Sequence, residues 1–315
     1  MQPPPPLIRP DLLPEMSSRL REATDSQLTF RFAPTPNGEL HLGHAFSALV
    51  TWEMAERLGG RVLLRIEDID LGRSREQFVN QIYQDLGWLG LRWPEPVRQQ
   101  SEHFESYRRA AGQLQDAGLL YPCFATRKEI AAAVEAHAGA KDPDGAPLYQ
   151  GLHKHLTASE VASRKAAGEP FALRLDSAKA CARARQMCGG QLRFATFDEM
   201  GNEAIIEARP ERWGDAVIVR KDVPASYHLA VVVDDALQAV SHVTRGQDLL
   251  AATDLHCLLQ ILLGLPSPLY HHHRLITDTR GRKLAKSARD TSLRSLRGQG
   301  MTAKGVRQLL RTFTD

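Results

Sequence analysis

Apolar positions along the chain change period several times, and each change marks an element. Gln27 to Phe32 is a short strand candidate. A loop with prolines and a glycine follows, and from Ala45 to Leu58 the residues Phe46, Leu49, Val50 and Ala55 recur near helical spacing, with Gly59-Gly60 as a stop. The run RVLLRIEDID from Arg61 is β-rich and ends in acids. Strand, loop, helix and strand at these lengths predict the βαβ unit of a parallel sheet. Ser74 to Leu86 reads as the next helix, with Ser74 as N-cap and Gln77 three residues on, the spacing of a capping box. GWLGLRW is a turn-rich edge, and Phe104 to Ala117 is helical again.

From about residue 121 to 220 the pattern changes to Ala-rich helices, a Pro/Asp/Gly loop at 142–147 and broken strand signals, which predicts an inserted smaller α+β domain. YHLAVVVDDAL then reads as a buried strand ending in Asp234-Asp235, and VTRGQDLLAATDLHCLLQILLGL as a loop and a long helix. The predicted class is α/β. Its parallel-sheet domain is discontinuous, residues 27–120 and 221–290, preceded by an extension at 1–26 and followed by a helical tail at 291–315.

Composition narrows this picture only slightly. Hydrophobic residues make up 43% and charged residues 24% of the 315, enough apolar surface for a core. A net charge of +3 permits a polyanionic partner without requiring one. Cys123, Cys181, Cys188 and Cys257 form no C-x-x-C pair, which argues against a disulfide framework and for a reducing compartment. Residues 1–26 carry a proline run and no hydrophobic signal region, and no apolar run is long enough to span a bilayer. The prediction is a cytoplasmic enzyme with no membrane association. The last three of the four cysteines read as buried or partly buried thiols.

Two short stretches carry candidate chemistry. In RFAPTPNGELHLGH, residues 31–44, Gly43 lies beside the first turn of a helix, where a missing Cβ lets a flat ring or a phosphate chain approach the backbone. The helix N-terminus offers free N–H groups and partial positive charge, and His41 and His44 add donors. In RGRKLAKS, residues 280–287, Lys283 and Lys286 could neutralise charge building on an α-phosphate and a departing pyrophosphate. Taken singly, two histidines beside a turn are also ordinary cap or surface residues, and a basic loop is also an ordinary solvated surface.

HLGH and KLAKS resemble the two signatures of class I aminoacyl-tRNA synthetases, and RFAPTPNGELHLGHA, GGRVLLRIEDIDLGRS and YHLAVVVDDALQAVSHVTRGQDLL are similar to the glutamyl branch over residues 28–290. The resemblance implies a Rossmann-type sheet with an acceptor-binding insertion, and a ligase that uses ATP with Mg2+. It implies His41, His44, Lys283 and Lys286 as catalytic residues, and Pro34, His41, Gly43, His44 and Lys286 as the ATP site. Arg31, Phe32, Ala33, Pro34, Thr35, Glu67, Tyr227 and Arg245 would bind glutamate. The chemistry agrees, since a guanidinium holds a carboxylate in a bidentate pair and a buried carboxylate receives an ammonium. Glu67 could instead pair with Arg65 or Arg73, and Tyr227 could be core. Few residues follow the lysine loop, so the chain resembles the compact subfamily that activates glutamate without tRNA and attaches it to the queuosine base of tRNA(Asp). A monomer is expected.

Many relatives hold a structural zinc with three cysteines and a tyrosine. Here YPCFATR keeps Cys123 but has Ala125, and LYQGLH keeps Tyr149 but has His153, so no zinc is predicted. His271 and His273 of the HHH run would share a strand face and could converge on a metal, or support the nucleotide site. Three other readings stay open: a truncated glutamyl-tRNA synthetase charging tRNA(Glu), a small-molecule nucleotidyltransferase and a non-catalytic binding protein.

Overall fold

The computed structural model describes residues 27–135, 139–276 and 292–313. Thr29–Phe32 (β1) leads into the helix Leu42–Arg57 (α1), and Arg61–Ile66 (β2) returns parallel to β1. This is the predicted βαβ unit. The helix Glu76–Trp88 (α2) then connects to the short strand Arg98–Gln99 (β3), and Phe104–Asp116 (α3) follows. Leu120–Cys123 (β4), the helices Arg127–Glu135 (α4) and Ala158–Ala166 (α5), and Ala172–Leu175 (β5) open the insertion. Ser177–Cys188 (α6), Arg193–Phe197 (β6), Glu203–Glu207 (β7) and Val217–Val219 (β8) complete that stretch.

The second half runs through Tyr227–Leu237 (α7), His242–Gly246 (β9), Leu250–Leu263 (α8) and Leu269–His273 (β10). Two short helices, Leu293–Gly298 (α9) and Ala303–Arg311 (α10), close the chain. The central sheet has the order β3-β2-β1-β9-β10-β6-β7, and a second, antiparallel sheet has the order β4-β5-β8. In the central sheet every pairing is parallel except β6 with β7. The hairpin of β6 and β7, which the sequence pattern grouped with the insertion, therefore extends the large sheet.

Three predicted elements differ. The start of VTRGQDLL, read as a loop, is the strand β9 in the middle of the central sheet, where its neighbours β1 and β10 supply the backbone partners that a loop lacks. YHLAVVVDDAL is not a strand but the helix α7, capped by the Ser226 hydroxyl, which accepts from the Leu229 N–H at 3.4 Å. Every residue from Leu229 to Leu237 is buried, the two acids included, so the run shows no amphipathic period to separate helix from strand. Ser74 does not cap α2. Its N–H bonds the Asp70 carbonyl at 2.9 Å, while the Arg75 N–H bonds the Pro36 carbonyl at 3.1 Å, holding Arg75 extended as an N-cap without a side-chain bond.

The core has two main parts. One joins α1, β1, β2 and α2 with α9 and α10, around Phe30, Leu64, Leu86, Leu293 and Val306. The other wraps α7 and α8, around Tyr107, Leu229, Val233, Leu258 and Tyr270. β1 lies between β2 and β9, so the chain leaves it first toward one edge and later fills the other. Two crossovers that depart in opposite directions open a crevice beyond the carboxyl ends of β1 and β9, the place where open parallel sheets take ligands.

Candidate active site

A cavity of about 470 Å3 occupies that crevice. Its wall includes Arg31, Phe32, Ala33, Pro34 and Thr35 from the end of β1, His44 and Ser47 from α1, Glu67 after β2, Tyr227 at the start of α7, and Thr244 and Arg245 from β9. All eight residues that the resemblance assigns to glutamate thus meet at one cavity, together with Pro34 and His44 of the ATP set. His41 is the N-cap of α1 and Gly43 lies in its first turn, one residue before His44. Lys283 and Lys286 lie outside the described residues.

The first turn of α1 is closed by its histidines. His41 is the N-cap, and its Nδ1 accepts the Gly43 N–H at 3.1 Å, while His44 Nδ1 accepts the His41 N–H at 3.2 Å. An imidazole nitrogen that accepts carries no proton, so this geometry assigns the proton of both rings to Nε2. The rings sit 3.8 Å apart between centroids. Burial, together with the nearby His41, holds His44 down to about 3, so it is neutral at physiological pH. Gly43 has a more immediate reason than the one read from sequence: a Cβ there would stand 2.9 Å from His41 Cε1 and push the capping ring away.

The chain that follows the lysine stretch returns to this point. His41 forms a bridge with Ser292, and the Leu293 N–H bonds the Leu40 carbonyl at 2.8 Å. On the other flank Ile276 is buried in the core with β1 and α1.

Carboxylates and guanidiniums are unevenly matched around the cavity. Arg65 is fully buried and bonds Asp235 at 2.7 Å and Glu67 at 3.0 Å. Arg31 Nε bonds the same Asp235 oxygen at 3.3 Å, and its Nη1 bonds the Thr244 carbonyl. Glu67 therefore pairs with Arg65, one of the partners open from sequence, but in the interior; Arg73 pairs with Asp70 instead. Burial raises the Glu67 carboxyl above its usual range, with the arginines opposing. Burial would raise Asp235 as well, but Arg31 and Arg65 outweigh it and hold it low.

Arg245 is different. It is 4% exposed, and its partners among the described residues are His272, His256 and Thr253. Burial and the guanidinium itself push His272 down to about 3 and His256 well below its ordinary value, so both are neutral. A buried guanidinium held by neutral groups at a cavity wall has charge and N–H groups that an anion could pair with.

Sequence reading missed Asp235, Arg65, Thr253, His256 and His272. The doubled acid inside an apolar run was the available signal for Asp235, since a buried carboxylate needs a partner. The HHH run does not converge. His271 bonds the Phe197 carbonyl, His273 bonds Ser47 and the Arg274 carbonyl, and His272 turns to Arg245. Among the described residues no group of three or more His, Cys, Asp or Glu side chains is placed to hold a metal.

The residues at the zinc-pattern positions satisfy one another. Cys123 Sγ donates to the Tyr149 hydroxyl at 3.3 Å, which also accepts the His153 N–H at 2.8 Å, and His153 Nδ1 accepts from Phe124 and Ala125. With Nδ1 committed and Ala125 in place of a thiolate, the set does not fit a tetrahedral zinc. Cys188 is exposed, unlike Cys181 and Cys257. No helix among the described residues is long and apolar enough to cross a membrane.

A mostly parallel sheet with a crevice at its topological switch, lined by buried guanidiniums and a buried carboxylate, has the architecture of a doubly wound α/β enzyme. Residues 27–313 match the family of tRNA synthetases class I (E and Q), catalytic domain, and the chain belongs to that family and is a ligase of its class. It is 41% identical to a glutamyl-Q tRNA(Asp) synthetase of Rhodobacter capsulatus, over 89% of this chain and 98% of that protein. A second glutamyl-Q tRNA(Asp) synthetase, from Symbiobacterium thermophilum, is 40% identical over 88% of this chain and 83% of its own length. A glutamate–tRNA ligase of a Synechococcus species is 38% identical, but the chain spans only 56% of it. The crystal structure of a glutamate tRNA ligase from Elizabethkingia meningosepticum, in complex with its amino acid, superposes with a TM-score of 0.66 at 26% identity, over 84% of this chain and 52% of that one.

Proposed function

We propose that this chain activates glutamate with ATP, without needing a tRNA, and transfers the glutamyl group to the queuosine base of tRNA(Asp). The observation that carries the choice of amino acid is Arg245, a buried guanidinium at the cavity wall whose partners are neutral. An acidic side chain completes it, whereas an amide leaves a buried charge uncompensated. Glu67, held by Arg65 and raised by burial, receives the α-ammonium, whose positive charge favours the carboxylate form. Arg31 and Tyr227 complete the wall.

ATP then lies over the first turn of α1, where His41 and His44 meet its phosphates; Mg2+ carried by the nucleotide would share the phosphate charge. The glutamate α-carboxylate attacks the α-phosphorus in line and pyrophosphate leaves. No protein nucleophile is needed, so positioning and charge stabilisation do the catalysis. Lys286 and Lys283 are assigned to the leaving pyrophosphate by their motif alone. Transfer to tRNA(Asp) rather than tRNA(Glu) is supported by the near full-length match to the two glutamyl-Q tRNA(Asp) synthetases.

ATP–pyrophosphate exchange that depends on glutamate and proceeds without RNA is the expected result. Charging of queuosine-containing tRNA(Asp), set beside tRNA(Glu), tests the acceptor. Product on tRNA(Glu) alone would reject it, and no glutamate-dependent exchange in either setting would reject the activation step.

A further inference from the structure

A guanidinium carries five N–H groups. In Arg245, Nε donates to His272 Nε2 at 3.3 Å, Nη1 to His256 Nδ1 at 3.2 Å, and Nη2 to the Thr253 hydroxyl. One N–H on each terminal nitrogen is left for a ligand. The plane rests on the Tyr270 ring, 5.1 Å from its centroid. The acceptors are ordered as well as neutral. His256 Nδ1 can accept only if the proton sits on Nε2, which then donates to His228 Nδ1 at 3.2 Å. The Thr253 hydroxyl, accepting from Nη2, also lies 2.9 Å from His272 Nε2, whose single lone pair it shares with the Arg245 Nε–H.

Each of the other two guanidiniums at this site has a carboxylate. Arg31 and Arg65 share Asp235, and Arg65 also holds Glu67. Thr253 and His256 lie one turn apart on α8, so one helix face presents two neutral acceptors to the end of β9. Burial of these acceptors costs little only while they stay uncharged. The arrangement fixes the direction of the guanidinium and leaves its charge unspent.

Resting on the reading of the cavity above, we infer that Thr253, His256 and His272 are positioning residues that hold Arg245 without neutralising it, and so set the preference for an acidic over an amide side chain in the substrate. A carboxylate in their place would orient Arg245 equally well and remove its reason to bind one more anion. Selection by one hydrogen-bonding charge in a closed site is strong, because the wrong substrate strands a buried group.

The test is ATP–pyrophosphate exchange with glutamate and with glutamine, on the wild type and on His256→Phe, His256→Asn, Thr253→Val and Thr253→Asp. His256→Phe and Thr253→Val are expected to raise KM for glutamate about tenfold or more while KM for ATP stays within about twofold. His256→Asn places an amide oxygen near the lost Nδ1 and is expected to recover most of the loss. Thr253→Asp is expected to reduce the ratio of glutamate to glutamine kcat/KM by about a hundredfold. Thermal midpoints read alongside identify a variant that fails to fold, and Thr253→Val, which keeps the side-chain shape, then decides. If the wild type shows glutamate-dependent exchange and both His256→Phe and Thr253→Val leave KM for glutamate unchanged, the positioning role is overturned. A wild type without glutamate-dependent exchange overturns the reading of the cavity, and this inference with it.

Discussion

At the scale of single residues the chemistry is decided by where protons sit. His41 and His44 spend Nδ1 on backbone N–H groups, and that choice puts the ring proton of each on Nε2. His44→Asn keeps a group able to accept the His41 N–H but removes the distal donor. It is expected to lower kcat for pyrophosphate exchange by about a hundredfold with KM for glutamate nearly unchanged, the pattern of a donor used mainly in the transition state. Gly43→Ala attacks the same device from behind, since its Cβ would meet the His41 ring at 2.9 Å. Loss of the cap should cost about 1 kcal/mol in urea unfolding, with lower exchange activity.

At the scale of elements α7 is the part that most needs explanation. It is a short helix buried on every side, and its two acids are what make that tolerable. Asp234 accepts from Arg98 at 2.7 Å, Gln100 at 2.8 Å and the Tyr107 hydroxyl at 2.8 Å, tying α7 to β3 and α3. Asp235 bonds Arg65 and Arg31, and so ties α7 to β1 and β2 beneath the cavity, with Arg65 also 3.9 Å from Asp234. Removing one partner of a buried pair leaves an uncompensated charge. Asp235→Asn should therefore destabilise the chain by about 3–5 kcal/mol in chemical denaturation and raise KM for glutamate, because Arg31 and Arg65, which in turn holds Glu67, lose a shared anchor. The Ser226 cap is a smaller matter, about 1 kcal/mol for Ser226→Ala.

At the scale of the whole molecule, the order β3-β2-β1-β9-β10 brings one cavity wall from each of three distant segments, and burial of histidines links that arrangement to pH. His44 and His272 are held down to about 3, His228 to about 4, and His256 well below its ordinary value, chiefly by burial and secondarily by Arg245 or a neighbouring histidine. Unfolding frees these rings to take protons near their usual value of 6.5. Between that value and the low folded ones the unfolded chain binds more protons, so stability is full above about pH 6.5 and falls as the pH drops. The thermal midpoint should be lower at pH 5.5 than at pH 7.5 by at least about 2 °C, roughly what one such histidine contributes over one pH unit. A midpoint that holds or rises toward pH 5.5 would contradict neutral histidines in this region.

What the sequence determined by itself was local. The βαβ start and the HLGH turn were legible because caps, turns and helical spacing act over a few residues, and the cavity residues were named because they belong to motifs carried in continuous blocks. Tertiary structure alone decided the rest. A buried run with no solvent-facing side, 229–237, is compatible with a strand or a helix until its neighbours surround it, and the packing of α3 and α8 chose the helix. Asp235 meets Arg31 across 204 positions, and Arg245 finds His256 and His272 at separations of 11 and 27. No spacing rule reaches that far. Which guanidinium is neutralised and which is left for a ligand is a property of the folded interior, where a charge must be paired or put to use.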